Sequence, residues 1–308
     1  MTRWTQAAAA LFVILTSAAS AGEPPRVVAS LPPLQGLAAA VLDGIAEPEV
    51  LVRGGGSEHA YAVKPSDARA LGAADLVLWV GPRLETFLEK PLATLARPGA
   101  VLAVADLPGV TLLPRRAGEA WGAEHEEGAG GDHAPGITDL HLWLDSDNAI
   151  AITSAIADRL STMDPARAKR YRQNADSAIA GIRTLDRALD EELAPVRGVP
   201  FLVFHDAYQY FEHRYGLKAV GAVAIHPERP PGARHLAELR RNLVATQARC
   251  IFAEPQFRPD LVDTLREGTA LRAGTLDPLG AGLPQGPGHY EALMRGLAAS
   301  LLACLNAP

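Results

Sequence analysis

Glu58 and His59 in GGGSEHAYAVKPSDARAL, His141 in ITDLHLWLD, His205 in PFLVFHDAYQYFE and Asp277 in LRAGTLDPLG are the residues of this 308-residue chain whose types suit metal coordination. Neutral imidazole nitrogens and carboxylate oxygens are zinc ligands, usually four in a tetrahedron, and ligands drawn from separate loops need no fixed sequence spacing. A single such histidine reads as an ordinary solvated loop residue. What sets these apart is a shared position: His59 lies on a Gly-rich loop, while His141 in ITDLHLWLD, His205 and Asp277 each stand at the edge of an apolar, strand-like run.

The surrounding elements explain how they could be held. Gly54, Gly55 and Gly56 let the backbone turn before Glu58 and His59. Pro65 suits the first position of the helix that follows, with Ser66 and Asp67 favourable at its positive end. RVVAS, PEVLV, DLVLWVG and AVLAVAD are near-continuous apolar runs, the pattern of parallel strands covered on both faces, and LPPLQGLAAAVLDG is helical. PFLVF, AVGAVAI, CIFAE and RAGTL repeat that logic in the second half, separated by helical RHLAELRRNLVATQA and RPDLVDTLREGTA. From Asp164, a candidate N-cap, to Ala194, apolar residues recur every three or four positions: Ala168, Tyr171, Ala175, Ala178, Ile182, Leu185 and Leu189. Such a helix spans roughly 45 Å at about 1.5 Å per residue.

The expected fold is therefore α/β: two lobes, each a mainly parallel sheet flanked by helices, joined by one long backbone helix. The expected divisions are 1–21, 22–160, 161–196 and 197–308. Ligands of open parallel sheets bind beyond the carboxyl ends of strands, where His205 follows PFLVF and Asp277 follows RAGTL. The metal site is expected at the lobe interface, with ligands from both lobes.

Arg3, the apolar AAAALFVIL and the small-residue pattern Ala19-Ser20-Ala21 read as an export signal cleaved after Ala21, its apolar core too short to span a membrane. The chain is thus expected in the periplasm. A net charge of −6 leaves no basic footprint for nucleic acid. In an exported chain the even count of cysteines, Cys250 and Cys304, suggests a disulfide tying the last helix to a strand, contributing about 3–4 kcal/mol; two buried free thiols are the alternative. The Gly-, Glu- and His-rich stretch 114–138 reads as a loop with little fixed structure. Its His125 and His133 are either plain solvated residues or auxiliary, low-affinity metal ligands. His213, His226, His235 and His289 read as ordinary surface or partly buried histidines. HExxH, Walker A and G-x-S-x-G motifs are absent.

GGSEHAYAVKPSDARAL, ADLVLWVGPRLETFL, the His/acid stretch, DLHLWLD, FHDAYQYFEHRYGL, IFAEPQF and GTLDPLG occur in an order that resembles the periplasmic zinc-binding proteins of bacterial ABC importers, the ZnuA-like branch of the metal-receptor family. The resemblance spans nearly the whole chain after the leader. It implies a non-catalytic, monomeric receptor with one Zn2+ between the lobes, handing its ion to a transmembrane permease. Carried over by motif, His59, His141 and His205 are the histidine ligands, while Glu58 and Asp277 compete for the fourth place with water. The family's cysteine pair matches Cys250 and Cys304, and its His-rich loop is longer and richer in histidine than the stretch here. The long helix implies small loop and lobe shifts on metal release. Two other readings are kept open: a manganese or iron receptor of the same fold, and a zinc hydrolase with Glu58 or Glu254 as general base.

Overall fold

Val27–Ala29 (β1), Glu49–Val50 (β2), Leu76–Trp79 (β3) and Val101–Ala103 (β4) make one sheet of the computed structural model, ordered β2-β1-β3-β4. Pro200–Val203 (β5), Lys218–Ala222 (β6), Cys250–Ala253 (β7) and Arg272–Thr275 (β8) make the other, ordered β6-β5-β7-β8. The structure describes residues 22–53, 55–116, 138–224, 227, 232–258 and 260–306; the expected leader, His125, His133 and His226 lie outside these. Every strand pairing is parallel, as the unbroken apolar runs predict. The central β1 and β3 are buried throughout, whereas the edge strands β4 and β8 are partly open.

Helices Pro32–Val41 (α1), Pro65–Ala73 (α2), Thr86–Leu95 (α3) and Ser146–Met163 (α4) accompany the first sheet. Ala168–Leu193 (α5) follows, then Gln209–Tyr215 (α6), Ala233–Thr246 (α7), Asp260–Arg266 (α8) and His289–Leu305 (α9). The linking helix α5 has 26 residues, about 39 Å at about 1.5 Å per residue. It starts later than its sequence suggests, because Asp164 closes a turn instead of capping: its Oδ2 accepts from Arg167 Nη1 at 2.7 Å and Tyr171 Oη at 2.9 Å.

The second departure is larger. ITDLHLWLD is not strand-like; Leu142–Leu144 form a single 3-10 turn with His141 at its start. Asp145 then caps α4, accepting from the backbone N–H of Asp147 at 2.8 Å and Asn148 at 2.9 Å.

One core runs from β1 and β3 through α4 and α5 to β5, β7 and α9. Its two halves are locked in several ways. Gly36 of α1 lies so close to α9 that a Cβ there would sit 2.9 Å from that of His289. Arg214 of α6 donates to Asp147 at 2.8 Å and to Asp186 of α5 at 2.7 Å. Trp143 Nε1 donates to the Pro278 carbonyl at 2.8 Å. The expected disulfide joins Cys250 of β7 to Cys304 of α9, with Cα atoms 6.2 Å apart. No helix among the described residues is long and apolar enough to cross a membrane.

Candidate metal centre

Glu58 and His59 sit between β2 and α2. Asp67 of α2 fixes the end of that loop, accepting from the Lys64 N–H at 2.8 Å and Tyr61 Oη at 3.1 Å. Ser57 Oγ accepts the His59 N–H at 3.1 Å. His205 follows β5, as strand-end geometry predicts. His141 instead comes from the start of the 3-10 turn, held because Asn148 of α4 donates to the Leu142 carbonyl at 3.1 Å.

These elements bring together Glu58, His59, His141 and His205, whose ligand atoms all lie within 4.8 Å of one another. His205 Nε2 lies 3.3 Å from His141 Nε2 and 3.4 Å from His59 Nε2. Glu58 Oε1 is 3.5 Å from Nε2 of His141 and of His205, and 3.8 Å from that of His59. A tetrahedron with zinc–ligand distances of about 2.0–2.1 Å has edges of about 3.3–3.4 Å, so these five separations of 3.3–3.8 Å suit a zinc-sized ion. Both Glu58 oxygens are buried without a hydrogen-bond partner. A carboxylate buried without hydrogen bonds is costly unless positive charge faces it, which the imidazoles at 3.5 Å supply when protonated and a bound cation would supply in their place.

The outer ring nitrogens are occupied. His141 Nδ1 lies 2.7 Å from Asp139 Oδ1. His205 Nδ1 lies 2.8 and 2.7 Å from the two oxygens of Glu254, which ends β7 and also accepts the His205 N–H at 3.2 Å. Such partners hold the proton on Nδ1 and leave Nε2 for the ion. Sequence reasoning missed Asp139, although a carboxylate two residues before His141 was its signal. Glu254 was read only as a hydrolase base; its oxygens face Nδ1, on the far side of the ring from the cluster.

Charge follows the same pattern. Burial by itself would lower the histidine pKa values, yet Asp139 and Glu58 lift His141 to about 9, and Glu254 and Glu58 lift His205 to about 10. Burial pushes His59 down to about 3, against the pull of Glu58 and with the neighbouring charges of His205, His141 and Arg115 adding to the fall. Burial would raise Glu58, but the imidazoles of His141 and His205, with the charge of His59, hold it well below the ordinary carboxylate range. His59 is the most open of the four, its side chain 24% exposed, and so marks the mouth of the site.

Asp277 is not brought into the cluster. Its Oδ1 accepts from Gln256 Nε2 at 2.8 Å, Leu279 N–H at 3.1 Å and Gly280 N–H at 3.0 Å, and its Oδ2 from Ala281 N–H at 2.7 Å. Those bonds shape the turn after β8. His235 and His289 are buried, more deeply than their sequence context suggests, and bind the carbonyls of Val223 at 2.8 Å and Leu279 at 3.0 Å.

Two parallel-sheet lobes on a long helix, with a buried nitrogen-rich cradle for one cation between them, define a two-lobed metal receptor. The family model described as "Zinc-uptake complex component A periplasmic" matches residues 27–304, and the chain belongs to this ZnuA family. It is similar to the high-affinity zinc uptake system protein ZnuA of Brucella suis biovar 1, 41% identical with 93% of each chain covered. The protein of the same description from Yersinia pestis is 39% identical, with 91% of each covered. A crystal structure of ZnuA shares the fold at TM-score 0.77 and 23% identity, covering 92% of this chain and 99% of that one. The periplasmic zinc-binding protein TroA of Treponema pallidum shares it at TM-score 0.75 and 21% identity, with 92% and 99% covered.

Proposed function

We propose that this chain is the zinc receptor of an ABC importer, holding one Zn2+ between Glu58 Oε and the Nε2 atoms of His59, His141 and His205. It works in the periplasm, as a monomer, and passes the ion to a transmembrane permease. The carrying observation is the buried Glu58 carboxylate, without a hydrogen bond to either oxygen, at 3.5–3.8 Å from three imidazole nitrogens. Three imidazoles with one carboxylate suit zinc, whereas manganese prefers more oxygen. The relatives' names as zinc uptake proteins support the same cargo.

The donor set also favours a carrier over a hydrolase. Catalytic zinc keeps an open position for water, while a full set of protein ligands closes the shell; here Glu58 fills the fourth place. Nothing in the geometry favours the manganese or iron reading, since the Asp277 oxygens are turned to backbone N–H groups.

The test is metal content and competitive titration of the purified protein, stripped and reloaded with zinc, manganese or copper, beside the His59→Ala/His141→Ala/His205→Ala variant. One tightly held zinc per chain, lost in the variant, is the expected result. A preference for manganese, or no tight metal, overturns the proposal.

A further inference from the structure

His141 and His205 belong to different halves of the molecule, yet their Nε2 atoms must keep a spacing of 3.3 Å. The segment Thr111–Arg116 runs between them. On one side it is fixed to α4, because Asn148 accepts the Thr111 N–H at 2.7 Å and donates to the Thr111 carbonyl at 3.0 Å. It also pairs with the residues just before His141: the Asp139 N–H donates to the Leu113 carbonyl at 2.9 Å, and Pro114 bridges Thr138. Asp139 is the residue that orients the His141 ring.

On the other side the segment is bolted to the second half. Arg116 Nε lies 3.1 and 3.2 Å from the two oxygens of Asp206, the residue after His205, and Nη2 also pairs with Asp206 Oδ1. Nη1 and Nη2 each donate to Glu212 of α6 at 2.9 Å. The three side chains are largely buried, only 19%, 14% and 7% exposed, so this is not a solvated surface pair. Tyr210 of α6 adds a parallel strut, accepting the Leu113 N–H at 2.9 Å and donating to the Asp139 carbonyl at 2.7 Å. A planar guanidinium gripping two carboxylates fixes orientation as well as distance.

We propose that Arg116 is the positioning residue that sets the spacing of His141 against His205, and thereby the rate at which the site releases its ion. Contacts lead from Arg116 through Asp206 to His205, and through Leu113 and Asp139 to His141. This closes a ring joining the two imidazoles across the lobe boundary. The inference rests on the zinc-receptor reading and adds a residue that touches neither the ion nor the rings that hold it. Losing a group bonded directly to a ligand typically changes affinity by about 10–100-fold; Arg116 stands one contact further out but acts on both imidazoles at once, so an effect near the lower end is expected.

The test compares zinc release into excess chelator, and the visible spectrum of the Co2+-loaded protein, among the parent, R116K and R116Q/D206N/E212Q, with His59→Ala as control. Removing all three charges avoids stranding buried carboxylates; melting of the metal-free proteins reports on the fold alone. The triple variant is expected to melt within a few degrees of the parent, release zinc at least about tenfold faster, and give a shifted, weaker cobalt spectrum. R116K keeps the charge without the planar fork and is expected to fall between. Parent-like release and spectrum in the folded triple variant overturn the inference; if that variant does not fold, parent-like release in R116K does. Tight zinc in His59→Ala would instead overturn the zinc-receptor reading.

Discussion

Glu254 grips the outer ring nitrogen of His205 with both oxygens, at 2.8 and 2.7 Å from Nδ1, while Nε2 of the same ring faces Glu58 at 3.5 Å. The carboxylate thus decides which nitrogen is free for the ion. In Glu254→Gln the amide can donate to Nδ1 and move the ring proton onto Nε2, where it blocks coordination; in Glu254→Ala the ring is merely released. Zinc affinity is expected to fall about 10–100-fold in Ala and at least as far in Gln. Competitive titration with a chromophoric chelator measures both, and unchanged affinity in the pair would show that Glu254 does not orient His205.

The same carboxylates set a pH dependence different from that of free histidines. With His141 at about 9 and His205 at about 10, both rings are protonated at neutral pH in the metal-free site. His59, at about 3, is neutral there. Coordination must displace one proton from each of the two charged rings, so apparent affinity should rise about 100-fold per pH unit between pH 7 and 8. A free-histidine pKa near 6.5 would instead make affinity nearly flat over that interval. Calorimetry of zinc binding in buffers of differing ionisation enthalpy should show release of about two protons; a value near zero would rule this out. The metal-free fold carries the matching sign. These raised pKa values contribute stability fully present below about pH 6.5 and lost as pH rises through about 9 and 10.

The positions of His59 and His205 were legible because each stands at a boundary that composition marks: a Gly-rich turn for His59, the end of PFLVF for His205. That ligands from both lobes meet between them was expected from strand-end geometry and from the resemblance, but their spacing was not legible, since it depends on how two sheets sit on α5. Choosing between Glu58 and Asp277 lay further out of reach. Both are carboxylates in turns, and what separates them is whether neighbouring N–H groups consume their oxygens. DPLG did carry a hint, because an aspartate opening a Pro/Gly turn commonly binds the backbone just ahead of it. ITDLHLWLD was misread because apolar residues suit a buried 3-10 turn as well as a strand, and the cap in LDSDN, which starts α4, outranked the apolar run. Arg116 gave no signal at all: its partners lie some ninety residues on, and only the folded chain brings them together.

The disulfide should bear on stability and leave the site alone. Cys250 and Cys304 are 54 residues apart, and closing that loop contributes about 4 kcal/mol in the chain-entropy estimate. Neither sulfur belongs to the Glu58, His59, His141 and His205 group. The Cys250→Ser/Cys304→Ser protein is expected to melt roughly 6–8 °C lower, while zinc affinity of the folded protein changes by less than about threefold. A large loss of affinity without a loss of melting temperature would contradict this division of roles.

Glu58 and Asp277 should separate cleanly when each is removed. Glu58 has no hydrogen-bond partner for either oxygen, whereas the Asp277 oxygens accept from Gln256 and from the backbone of Leu279, Gly280 and Ala281. Asp277→Ala is therefore expected to destabilise the turn after β8 by about 1–3 kcal/mol, from buried donors left unpaired. Its zinc should keep three nitrogens and one carboxylate oxygen. Glu58→Ala should lose that oxygen, admit water in its place and hold zinc at least about tenfold more weakly, since an anionic ligand leaves the shell. X-ray absorption of the zinc-loaded variants counts the ligands, and denaturant unfolding of the metal-free proteins measures the turn. Loss of a carboxylate ligand in Asp277→Ala, with the Glu58→Ala shell intact, would exchange the two roles.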